Sequence, residues 1–189
     1  MAYRWILFCP KFASTPSSPR VMLWRRARSF GCVGLDNGLW IVPRSAEAER
    51  FIRKMQSAIE GQGGSSHVFL AEALNPAVEK DILDRFRRDR AQDYFEVVEQ
   101  CDDFLADIDK EIRRRNYSYA EYEENEQDFE KLEGWFAKVK KRDFLGSAEA
   151  IEARARLEKC RKALQKFAEN VFTYEKRGKG KSPRPALRK

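Results

Sequence analysis

Cys32 to Pro43 reads CVGLDNGLWIVP, and this stretch decides the fold. Asn37-Gly38 between two apolar runs is the strongest short signal for a β-hairpin. The tight turn needs backbone at positive φ, which Gly adopts freely and Asn tolerates. The arms are Cys32 to Leu35 and Leu39 to Val42, and Pro43 ends the second. Upstream, Ser18-Pro19 places a capping hydroxyl before a proline at the first helical position. A helix is expected from there to about Phe30, stopped by Gly31. Before it, Tyr3 to Phe8 (YRWILF) reads as a buried strand, followed by a loop holding Pro10 and Pro16. Downstream, Ser45 opens a second helix with Phe51, Met55 and Ile59 on one face, closed by Gly61, Gly63 and Gly64. Ser66 to Leu70 is a last strand. The order strand, helix, hairpin, helix, strand is the βαββαβ pattern of a ferredoxin-like sandwich within an α+β fold, expected over residues 1–74.

Residues 75–174 read as helical. Asn75-Pro76 repeats the cap-plus-proline start. Ile82, Phe86, Val97, Cys101, Leu105, Ile108 and Ile112 then keep a 3.6-residue period, interrupted by polar Arg90. Ser118 and Glu121 have capping-box spacing before a helix carrying Tyr122, Phe129, Leu132, Phe136 and Val139. Gly146-Ser147 precedes a third helix with Ile151, Leu157, Cys160, Leu164, Phe167 and Val171. Three such amphipathic helices are expected to form an antiparallel bundle or to lie back on the sheet. Residues 175–189 have the composition of a disordered basic tail.

The chain has 189 residues and a net charge of +7, unevenly spread. Residues 61–137 hold 10 basic and 20 acidic residues, whereas 138–189 hold 17 basic and 6 acidic. Lys176 to Lys189 contains 7 basic residues and no acid, so the tail alone equals the whole excess. The body is close to neutral, and only the distribution of charge is informative. Ion pairing of the acidic helices with the basic third one is the natural expectation. Cys9, Cys32, Cys101 and Cys160 lack any CxxC spacing and read as free thiols. No apolar run approaches the roughly 20 residues of a membrane span, and none has the form of a signal peptide, so a cytoplasmic protein is expected.

Residues for enzyme chemistry are scarce, and no catalysis and no cofactor are expected. His67 is the one histidine and falls in a strand, which leaves no base for a Ser-His or Cys-His arrangement. One histidine and four scattered cysteines match no zinc pattern. Gly61 to Gly64 precedes a strand, the wrong order for a phosphate loop. The acids of Glu121 to Glu133, and Asp102, Asp103, Asp107 and Asp109, spread around helices and read as solvated faces.

The first helix carries the most informative charges. Arg20, Trp24 and Arg28 form one stripe with Arg25 beside it, while Arg26 lies on another side. Guanidinium forks match phosphate oxygens, and an exposed ring can stack on a base. The commoner arrangement for Trp24 is a ring half-buried against the sheet, with arginines paired to acids. Tail residues such as Lys179 and Lys181 would add salt-sensitive attraction to a polyanion.

Arg20 with Trp24-Arg25, then Leu35, Asn37-Gly38-Leu39-Trp40 and Pro43, resembles the N-terminal region of ChrB, the chromate-resistance regulator family. The likeness continues through Phe86, Arg90, Tyr94 and Cys101, then Glu124-Asn125-Glu126, Trp135, Arg142-Asp143-Phe144 and Gly146. It implies a chromate-responsive transcriptional repressor that acts on its own resistance operon, with operator DNA as partner and a homodimer as the expected assembly. Proteins of that family continue into a rhodanese-like domain, and this chain reads as a stand-alone form without one. A protein-interaction module of a resistance operon is the alternative. A third reading is a metal-dependent nuclease, because the front third also resembles PaaX-type repressors and small CRISPR-associated nucleases. Those nucleases close the first strand with an aspartate, where this chain has Phe8-Cys9-Pro10-Lys11. That substitution removes the metal ligand from the nuclease reading.

Overall fold

The computed structural model describes residues 4–12, 17–35 and 38–179. Elements follow the order β1 (Trp5–Lys11), α1 (Ser17–Phe30), β2 (Val33–Gly34), β3 (Trp40–Pro43), α2 (Ala46–Glu60), β4 (Ser65–Ala71), α3 (Pro76–Arg114), α4 (Tyr119–Lys141) and α5 (Glu149–Lys179). The protein is thus α+β, with five helices and one four-stranded antiparallel sheet. It divides into two compact units. The first holds residues 1–90 and 141–146, the second 91–140 and 147–189.

The sheet of the first unit has the order β2-β3-β1-β4. Trp5 to Phe8 of β1 pair with Pro43 to Trp40 of β3, and all of β1 pairs with β4. Side chains alternate along a strand, so β1 feeds two cores. Ile6 and Phe8 join Val42, Leu23 and Ala27 of α1, and Ala48, Ile52, Met55 and Ile59 of α2. Trp5 turns to the other face with Val33, Ile41, and Ile82 and Phe86 of α3. The rings of Trp5 and Phe86 stack at 5.6 Å. Phe51 lies at the flank of the buried α2 face, stacked on Phe30 at 4.1 Å.

Strand β1 differs from expectation at its end. It runs through Pro10 to Lys11 instead of giving way to a loop. Pairing with β3 stops at Phe8, so one side of β1 has no strand partner at Pro10, and a residue without an N–H is tolerated there. Strand β4 closes the opposite edge of the sheet and leaves Phe69 and Leu70 exposed. His67 is exposed on the same strand.

The ends of the helices follow from their caps. Gly31, at φ 101°, donates its N–H to Arg28 and Ala27, and Cys32 donates to Ala27 O at 2.9 Å. This is the Schellman closure of α1. A Cβ on Gly31 would stand 2.8 Å from Arg142 Cβ and 2.9 Å from Arg142 O. The hairpin turn closes with Leu35 N–H donating to Leu39 O at 2.6 Å, and Gly38 has φ 76°. Asp36 and Asn37 lie outside the described residues. Ser45 Oγ accepts from Ala48 N–H at 3.0 Å, and Asn75 Oδ1 accepts from Ala77 and Val78 N–H at 3.1 Å each. Ser118 Oγ accepts from Glu121 N–H at 3.3 Å. The tail beyond Lys179 lies outside the described residues, while α5 continues past Tyr174 to Lys179.

The second unit is helical. Residues of α3 after Arg90, with α4 and α5, share one core containing Tyr94, Val97, Cys101, Phe129, Val139, Cys160 and Phe167. Helix α3 runs unbroken through buried Arg90. It ends at Arg115, whose φ of 55° is a left-handed conformation without glycine's freedom. Asn116 N–H donating to Glu111 O at 3.1 Å completes a second Schellman closure there. Arg156 of α5 pairs with Asp102 of α3 at 2.9 Å, and Arg161 with Glu133 of α4, which joins the basic helix to the acidic ones.

Candidate nucleic-acid interface on the first helix

Helix α1 buries Leu23 and Ala27 against α2 and the sheet, and this anchors the rest of its circumference. At about 100° per residue, Arg20, Trp24 and Arg28 advance by about 40° at each step, and Arg25 falls about 60° beyond Arg28. All four are exposed. Arg26 is also exposed; it lies about 160° round the helix from Trp24 but about 100° from Arg25. Val21, Met22, Arg25 and Arg26 line a shallow hollow on this outward side.

Trp24 is 53% exposed and belongs to neither core of the sheet unit. About half of the ring is therefore accessible to solvent. The guanidinium of Arg28 sits 5.6 Å from the indole centroid, a cation–π distance. Arg28 Nη2 also lies 3.9 Å from Asp89 Oδ2 of α3. That long contact between partly exposed groups contributes little energy but gives Arg28 a preferred position. Among the described residues no carboxylate lies within ion-pair distance of Arg20, Arg25 or Arg26. The side chain of Lys179 and all of Lys181 lie outside the described residues.

Elsewhere the acids are engaged or solvated. Lys110 pairs with Asp107 at 3.7 Å, Arg113 with Asp109 at 3.1 Å, and Lys131 with Asp128 at 2.7 Å. Among the described residues no three His, Cys, Asp or Glu are grouped to hold a metal ion. Nor is any helix long and apolar enough to cross a membrane. The thiols are mostly sequestered. Cys32, Cys101 and Cys160 are buried, and burial pushes the Cys32 thiol up to about 12. Cys160 Sγ donates to Cys101 O at 3.4 Å. The contact of the two thiols raises the pKa of Cys160, with burial adding to the rise, and lowers that of Cys101.

Two features were beyond sequence reasoning. Asp89 sits 61 positions after Arg28, and no local pattern joins them. The segment 141–146 returns to the first unit, bringing Phe144 against Phe30 at 5.8 Å.

An α+β chain with a basic, aromatic-bearing first helix and a helical second unit is thus the class of protein at hand. The family model for "Protein ChrB, N-terminal" matches residues 20–178. The chain belongs to that family, and membership implies a chromate-resistance-associated protein. No curated protein and no solved structure matches it.

Proposed function

We propose that this chain is a cytoplasmic DNA-binding regulator of a chromate-resistance operon, acting without catalysis. The carrying observation is the set of exposed α1 guanidiniums with no carboxylate partner among the described residues: Arg20 and Arg25 flanking Trp24, and Arg26, which shares a shallow hollow with Arg25. Cations left without protein counter-ions on a surface gain most from a polyanion, because each phosphate they neutralise releases condensed counterions. A ferredoxin-like assignment for the sheet unit is supported by its βαββαβ order and the strand sequence β2-β3-β1-β4. Such a sheet presents its helices on one side, and α1 is then a rigid rod for displaying charge.

The test is a gel shift on DNA from upstream of the operon, repeated across a salt series. Binding that weakens steeply with salt and falls further in Arg25→Ala/Arg20→Ala supports the reading. Indifference to that double substitution removes the site. A second reading, a protein-interaction module, is favoured by the open β4 edge with exposed Phe69 and Leu70. It predicts a complex that survives high salt, where phosphate contacts fail.

A further inference from the structure

We infer that the α1 surface takes single-stranded nucleic acid, or unpaired bases within a duplex, with Trp24 as the stacking platform; this rests on the nucleic-acid reading above. The exposure of Trp24 is the deciding quantity. The indole is 53% exposed, and one guanidinium stands over the ring 5.6 Å from its centroid, so about half of the side chain is left for a ligand. That guanidinium belongs to Arg28, which Asp89 draws toward α3. Arg28 therefore supports the ring, while Arg20 and Arg25 remain to neutralise phosphates on either side of it.

The bases of intact duplex DNA keep their faces stacked on one another and offer only edges and phosphates. A base can stack on the exposed indole only when it has left that stack. Aromatic rings flanked by cations suit strands whose bases are splayed, and such binding tolerates any sequence because every base has a π-face. Charge complementarity commits the site to an anionic partner, and the open ring selects one that also carries exposed aromatic faces.

The experiment uses the full chain and fluorescently labelled 20-nucleotide oligonucleotides, single-stranded and as the matched duplex, with anionic phosphatidylglycerol vesicles as a third probe. The expected result is tighter binding of the single strand. Trp24→Ala should weaken it about tenfold or more, and Trp24→Phe should retain most of it. Arg28→Ala should weaken binding without changing the salt slope, whereas Arg25→Ala should lower the slope by about 0.7. Equal or tighter duplex binding, unmoved by Trp24→Ala, overturns the inference and leaves the regulator reading standing. Retention of neither oligonucleotide, with or without vesicle binding, overturns both.

Discussion

In the sheet unit, Gly31 and Gly64 sit where no side chain fits, whereas Gly134 of the helical unit faces open space. A Cβ on Gly64 would stand 2.7 Å from Ile59 Cγ2 and 2.8 Å from Lys11 O, and one on Gly134 would meet nothing within 4 Å. The first unit is closed by backbones that touch: a helix end against the segment 141–146, and a turn against β1. The second unit is held largely by side chains, a buried stripe along three helices with ion pairs between them. Contacts through backbone admit few substitutes, because neither partner can rotate away. Contacts through side chains degrade gradually.

The largest expected effect tests the helical stripe. Phe167 is fully buried, and Phe167→Ala should cost about 3–5 kcal/mol in denaturant unfolding. Non-coincident transitions by Trp fluorescence and circular dichroism would show the two units melting separately, while one shared transition would mean that they unfold as one. Gly31→Ala should cost about 2–4 kcal/mol, through both its positive φ and the approach to Arg142. A cost below about 1 kcal/mol would mean that the closing segment yields easily. In contrast, Gly134→Ala and Arg115→Gly should each stabilise by about 0.5–1 kcal/mol, one by helix propensity and the other by relieving a left-handed residue. Destabilisation by either would show backbone constraint in the unit where none is expected. Arg156→Ala should cost under about 1 kcal/mol and less in high salt, because its pair with Asp102 is partly exposed. A larger, salt-independent loss would make that pair more than a rim contact.

Local signals in the sequence were legible because their causes are local. Ser45, Asn75 and Ser118 cap their helices through their own side chains, and Gly31 stops α1 within two residues of itself. The arc of Arg20, Trp24, Arg25 and Arg28 follows from helical period alone. Where the reading failed, a distant element decided. The length of β1 depends on where β3 ends. The exposure of Trp24 depends on what the rest of the chain leaves uncovered, and the position of Arg28 depends on Asp89, carried there by α3. Arg90, a polar break in the apolar period, does not break α3, because a charged residue in a helix interior has ordinary helix propensity and only its burial is unusual.

The route of the chain between its units has a consequence for synthesis. The polypeptide leaves the first unit at Arg90, returns at Lys141 and departs again after Gly146. On the ribosome, Phe144, which packs against Phe30, emerges only after α3 and α4 have been made. A fragment cut at Arg90 would lack that plug, so the sheet half matures late and cannot be excised whole by a single cleavage.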